Sequence, residues 1–275
     1  MRFVEPRVIR LAQTELCWGN VREDFLPAVG VPEFSRQLDA ASDDGAADGE
    51  LLIELAGRLC YRSFAPGLNP NVTKVREGNA GYLANLLKQR HYSVLEHVNV
   101  TYAFLNVSRV FTHELVRHRL ASFSQESLRY VRLTDLGAYW PEAFGEEVVR
   151  QIVNALKHSD ASWDEAETDV EQMLEQSRDL FRGFFEHAEH VQSALAELFQ
   201  LDDLTDFDLK KRITSAMRRC APIGLTTAVI MTANLREWRH VVELRTSEHA
   251  EEEIRKVIGL VASDLRELYP SAMKE

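Results

Sequence analysis

A chain of 275 residues is long enough to bury one sizeable core, and one domain is expected over the whole of it. Acidic side chains outnumber basic ones, 43 against 32, giving a formal net charge of −11, which argues against a general nucleic-acid surface. No run of about 18 apolar residues exists to span a bilayer, and Met1 to Leu11 carries Arg2, Glu5, Arg7 and Arg10 with no apolar signal core behind it. Cys17, Cys60 and Cys220 lie far apart without a CxxC pair, so neither a disulfide framework nor a zinc site is supported. A soluble, unprocessed, cytoplasmic protein that holds no metal is expected.

The first predicted element is a short strand over Arg7 to Ala12. Phe25 to Gly49 mixes Pro, Gly, Ala, Ser and Asp without periodicity and reads as a loop. Helical patterns follow at Glu50 to Tyr61 and Asn79 to Gln89, separated by the Pro- and Asn-containing Phe64 to Val72. The β-branched and aromatic stretch Asn99 to Leu105 predicts a second strand. Ser108 is placed to cap a helix running to about His118, and the polar tract Ala121 to Arg129 reads as a functional loop.

Pro141 to Phe199 is long, acidic and helical, with Phe181, Phe184 and Phe185 as core contacts. A helix over Lys210 to Arg219 precedes Pro222 and Gly224, Leu225 to Thr232 predicts a strand, and a last helical stretch covers Leu235 to Tyr269. No internal repeat is visible. The fold class is therefore α+β, a small, mostly antiparallel sheet flanked by helices, with strand order left open and 140–208 as a variable helical segment.

Between Arg109 and Arg132 the global sign reverses: Arg109, Arg117, Arg119, Arg129, Arg132 and two histidines face only Glu114 and Glu126. Arginine presents a planar fork of donors that stays charged, so such a cluster suits a phosphate-bearing small ligand, with Ser122, Ser124 and Ser127 as neutral donors. A solvated helix end with surface ion pairs would give the same composition. His113-Glu114 to His118 is one residue off the HExxH spacing, and Ser127 has no evident Asp-His relay, so zinc hydrolysis and a serine nucleophile are both disfavoured.

At about 100° per residue, Trp238, Val241, Val242 and Leu244 form one apolar face of the last helix, with Arg245 near its middle. Arg236, Arg239, His240 and Glu243 fall opposite. An arginine in an apolar stripe requires a partner, either a carboxylate or a ligand. Residues on opposite faces of one helix are expected to meet different ligands.

Arg117-His118-Arg119, seven intervening residues, then Ser127 and Arg129, resembles the defining motif of the flavin-dependent thymidylate synthases. The likeness extends to His91-Tyr-Ser93-Val-Leu-Glu-His97, to Thr112-His113-Glu114-Leu115-Val116, to Ser124-Gln125, and to Asn234-Leu235-Arg236-Glu-Trp-Arg239-His240 with Leu244-Arg245-Thr-Ser-Glu-His249-Ala250. It covers roughly Gly57 to Arg129 and Arg212 to Arg255.

The resemblance implies reductive methylation of dUMP to dTMP, with FAD as cofactor and NADPH and 5,10-methylenetetrahydrofolate as co-substrates, in a homotetramer with sites between subunits. It implies flavin contacts from His91, Ser93, Arg117, His118, Arg119, Gln125, Asn234, Leu235, Arg236 and His240. It assigns dUMP to Glu114, Leu115, Val116, Arg117, Gln125, Glu126, Ser127, Leu128, Arg129, Arg218 and Arg245, and matches Arg245 to the arginine that stabilises dUMP ionised at N3. Arg218 stands four residues before Pro222, where the family has a phosphate-binding arginine. It would equally complement a helix C-terminus. A non-enzymatic nucleotide- or phosphate-binding module, and a flavin- or nucleotide-dependent enzyme acting on another pyrimidine, are the competing readings.

Overall fold

The computed structural model describes residues 2–129, 136–156 and 163–274. Arg132 therefore lies outside the described residues. Four strands form one antiparallel sheet: β1 (Arg7–Gln13), β2 (Asn99–Ser108), β3 (Ala121–Gln125) and β4 (Thr226–Asn234), in the order β1-β2-β4-β3. The register sets Tyr102 opposite Met231 and Phe123 opposite Met231, so β2, β4 and β3 share one row of large apolar side chains.

The helices are α1 (Ser35–Asp43), α2 (Asp48–Tyr61), α3 (Asn79–Lys88), α4 (Arg109–Leu115), α5 (Glu146–Leu156), α6 (Trp163–Leu198), α7 (Phe207–Met217), α8 (Leu235–Arg245) and α9 (Glu252–Leu268). Among the described residues no helix is long and apolar enough to cross a membrane.

One face of the sheet meets α8 and α9. Trp238 is fully buried, donates its indole N–H to Val100 O at 3.0 Å and meets Tyr102 edge-on at 5.1 Å. Ile254, Val257, Ile258, Val261 and Leu265 recur at helical spacing along α9 and complete this core. The other face carries Ile9, Ile230, Ser122, Ser124, Thr101 and Thr232, and Ile230 is 41% exposed.

A second cluster gathers Leu26, Val31, Phe34, Leu38, Leu51, Leu55 and Phe64. It corrects the reading of 25–49 as a loop: the segment holds a single turn at Leu26–Ala28, a 3-10 turn at Pro32–Phe34 and α1. Elements this short show no periodicity, and their burial against α2 and Phe64 replaces it. Within this region Arg58 is 0% exposed, donating to Glu54 Oε1 at 2.7 Å, to Ser63 O at 2.8 Å and to Arg76 O at 2.7 Å, with Tyr82 4.4 Å from its guanidinium. Every donor direction is used, so its charge is tolerated in the interior.

Three further expectations change. Ala121–Gln125 is an edge strand rather than a loop, because Ala121 and Phe123 face the core while Ser122 and Ser124 face outward. The last helical stretch is two helices: α8 ends at Arg245, and Glu251 restarts the chain as an N-cap, its carboxylate accepting from Glu253 N at 2.9 Å and Ile254 N at 3.1 Å. Phe184 and Leu244 are 59% and 47% exposed, so neither belongs to the core. Phe185 does, with Leu128, Ala138 and Leu225.

Candidate functional site

The site grows from the β2–α4 junction. Ser108 caps α4, its hydroxyl accepting from Phe111 N at 3.2 Å, and the helix stops after two turns so that Arg117 and His118 continue in a turn. Glu114, near the end of α4, meets Arg245, at the end of α8. Arg245 Nη1 lies 2.5 Å from Glu114 Oε2, Nη2 donates to Glu114 O at 3.2 Å, and Nε donates to His118 Nε2 at 3.0 Å. All three donor directions of the fork are engaged.

His118 is 5% exposed. Burial, with Arg245 and His240 beside it, pushes its pKa down to about 4, so the imidazole is neutral. Because Nε2 accepts from Arg245, the ring proton sits on Nδ1, which faces Glu237 Oε1 at 3.7 Å. His240 meets the same ring edge-on at 6.0 Å. His240 and Arg245, which helical phase sets on opposite faces of α8, thus both reach His118. The turn carrying His118 reaches around the helix.

A second group lies about 13 Å away, nine residues earlier along α8. Arg236 joins His91 and Ser93 in a groove of about 330 Å³ whose other walls include Tyr61, Arg90 and Cys60. Tyr61 stacks on His91 with ring centroids 5.8 Å apart, and Arg236 Nη1 lies 2.5 Å from Glu96 Oε1. Asn234 spends its side chain capping α8, accepting from Glu237 N at 2.9 Å.

The remaining predicted residues divide by exposure. Val116, Arg117 and Arg119 are exposed around the turn, whereas Leu115, Leu128 and Leu235 have buried side chains and offer a ligand only backbone. Gln125 Nε2 donates to Thr112 Oγ1 at 3.3 Å, and Glu126 Oε2 accepts from Ala228 N at 2.8 Å. Ser127 Oγ accepts from Arg129 N at 3.3 Å, and Arg129 enters a cavity of about 640 Å³ between the end of α6 and α7 that Lys210, Lys211 and Thr214 also line. Arg218 is exposed after α7 and close enough to Arg109 to lower its pKa, behind the larger effect of burial.

Tyr61, Arg90, Glu96 and Glu237 were not anticipated. Glu237 lies three residues before His240 within the quoted motif, and that spacing alone could have placed it on the same face. Tyr61 closes an α-helix and carries no sequence signal for stacking on a histidine thirty residues on. Among the described residues no group of His, Cys, Asp and Glu is arranged to hold a metal ion.

Residues 44–271 match the family model described as thymidylate synthase complementing protein. The chain is 32% identical over 246 residues to a flavin-dependent thymidylate synthase of Mycolicibacterium vanbaalenii, covering 87% of this chain and 83% of the relative. A protein of the same name from Mycobacteroides abscessus is 32% identical over 244 residues, covering 88% and 83%. One from Mycobacterium tuberculosis strain H37Rv is 32% identical over 225 residues, covering 82% and 78%.

Proposed function

The chain belongs to the family of flavin-dependent thymidylate synthases, and on that premise we propose that it methylates dUMP reductively to dTMP, taking the carbon from 5,10-methylenetetrahydrofolate and electrons from NADPH through FAD. The observation that carries this reading is the convergence of the Arg-His-Arg turn on Arg245, where Nε meets His118 at 3.0 Å and Nη1 meets Glu114 at 2.5 Å.

Uracil is a poor nucleophile at C5 until negative charge develops on its ring. A guanidinium held in a fixed orientation stabilises that charge without reorganising at the moment of reaction. Arg245 supplies it. Neutral His118 accepts from Nε and adds no competing positive charge beside the substrate, while Glu114 fixes the fork until the nucleotide takes its place. Arg129 and Arg218, both exposed, suit the phosphate, and Arg117 and Arg119, exposed around the turn, suit a second ligand.

The groove at His91 fits part of a flavin nucleotide. The stacked Tyr61–His91 pair offers a flat surface to a ring, and Ser93, Arg90 and Arg236 offer donors to phosphate or carbonyl oxygens. Its volume, about 330 Å³, is at the lower end for a small-molecule site, so the rest of an FAD would lie against another subunit. When bound, reduced FAD supplies the hydride that completes the methyl group.

We read the chain as one domain that assembles as a homotetramer. The exposed large apolar side chains Ile9 and Ile230 on the uncovered sheet face support the assembly, since exposed apolar surface of this kind suits a subunit contact. Exposed free thiols at Cys17 and Cys60 support a reducing, cytoplasmic setting.

The test is release of tritium from 5-tritiated dUMP by purified protein, with FAD, NADPH and methylenetetrahydrofolate present and each omitted in turn. Release that requires both flavin and NADPH supports the reaction. Absence of release from the complete mixture overturns it.

A further inference from the structure

Glu253, the second residue of α9, is 1% exposed, and among the described residues no cation pairs with it. Both of its oxygens go to one residue. Ser108 N donates to Oε1 at 2.6 Å, and Ser108 Oγ contacts Oε2. The same hydroxyl accepts from Phe111 N, so its proton is free to point at Glu253. A carboxylate buried away from any cation is costly, and ordinary capping of α4 needs only Ser108 itself. The contact therefore does something beyond capping.

Its placement says what. Two chain segments, 108–118 and 245–253, are joined at both ends: Glu253 holds Ser108 at one, and Arg245 holds Glu114 and His118 at the other. Between the two joints run only α4, a seven-residue helix, and the link 246–251, whose Ser247, Glu248 and His249 carry little burial. Phe111 and Leu115, both 0% exposed in the main core, hold α4 by its apolar side, and the Glu253–Ser108 contact adds a directional joint at its first turn that fixes how the helix is set along and about its axis relative to Arg245.

The geometry points to Glu253 as a positioning residue for the thymidylate reaction: through Ser108 and α4 it sets the place of Glu114 and His118, and thereby the aim of Arg245 at the nucleotide. This rests on the reaction proposed above. The clamp itself is chemistry of hydrogen bonds, so a neutral side chain of the same shape can perform it. Glutamine at this position accepts from Ser108 N through its carbonyl and donates to Ser108 Oγ through its amide.

The experiment compares wild type, Glu253→Leu and Glu253→Gln for tritium release and for amide hydrogen exchange of peptide 109–118 in the FAD-loaded protein. In Glu253→Leu, kcat is expected to fall ~10–100-fold, the size of effect that a misplacement of about 1 Å produces, with FAD content retained. Exchange of peptide 109–118 rises, while that of the α9 core peptide around Val257 to Leu265 does not. Glu253→Gln restores most of kcat and the slow exchange. Wild-type kcat in Glu253→Leu overturns the assignment, as does a lost kcat with unchanged exchange in 109–118, or a failure of Glu253→Gln to rescue. Exchange is read without turnover, so a wild type that releases no tritium would sink the reaction while leaving the clamp to be judged on its own result.

Discussion

Arg245 and Glu114 close a bridge between the last turn of α8 and the end of α4, with Nη1 and Oε2 2.5 Å apart and the two side chains 13% and 32% exposed. The pair is neither fully solvated nor sealed. An ion pair so placed orients the guanidinium and can still exchange its carboxylate for a ligand anion.

Replacing Arg245 by Ala is expected to lower turnover roughly 100-fold or more, the scale on which a single donor to a developing charge acts, with FAD content unchanged. Tritium release at saturating dUMP measures the first and flavin absorbance the second. Wild-type turnover in the variant would remove Arg245 from the chemistry.

Arg236 pairs with exposed Glu96 at the mouth of the His91 groove. Arg236→Ala is expected to weaken FAD binding about tenfold, or ~1.4 kcal/mol, and to spare dUMP affinity. Flavin fluorescence titration decides it, and undiminished FAD affinity would place the cofactor elsewhere.

Burial pushes the Glu253 carboxyl up to about 7, and the charges of Glu251 and Glu252 on the same helix end add to it, against the hydrogen bonds from Ser108; Tyr139 faces it from the segment before α5. An acid whose folded pKa is raised contributes stability that is complete below its unfolded pKa, near 4.5, and lost as pH rises through about 7. Glu253→Gln removes that loss. The stability difference, variant minus wild type, should therefore grow between about pH 4.5 and pH 7 by on the order of 2–3 kcal/mol, measured by denaturant melts across that range. A flat difference would show that the carboxyl titrates normally.

Phe185 packs against Leu128, the residue before Arg129, and against Leu225. Phe185→Ala is expected to cost ~3–5 kcal/mol of stability and to raise the KM for dUMP, because Leu128, which precedes Arg129, loses a packing partner. Equilibrium unfolding and initial rates check both. Unchanged KM would mean that α6 is scaffold without influence on the nucleotide.

The sequence by itself determined the elements with strong local periodicity or β-branching, namely α2, α3, β2, β4 and the long acidic helices. It also determined the family, because fixed spacing of Arg117, His118, Arg119, Ser127 and Arg129 survives where overall identity is low. The Ser108 cap was legible too, since a cap is a contact between residues three apart. The edge strand at Ala121–Gln125 and the short helices of 25–49 were not, for their stability comes from partners distant in sequence: Ala233 to Val229 for the strand, and Leu51, Leu55 and Phe64 for the helices.

Only the tertiary structure decided how the site is assembled. Arg245 was legible as an arginine in need of a partner, but the choice of Glu114 and His118 depends on α8 and α4 being packed over the same sheet, across 131 and 127 residues of chain. Helical phase put His240 on the far side of α8, whereas the turn after α4 brings His118 to both residues. The Glu253–Ser108 contact spans 145 residues and has no signature in either segment. Periodicity reports which face of an element is buried, and the direction from which a neighbour arrives is set by the packing of all the elements together.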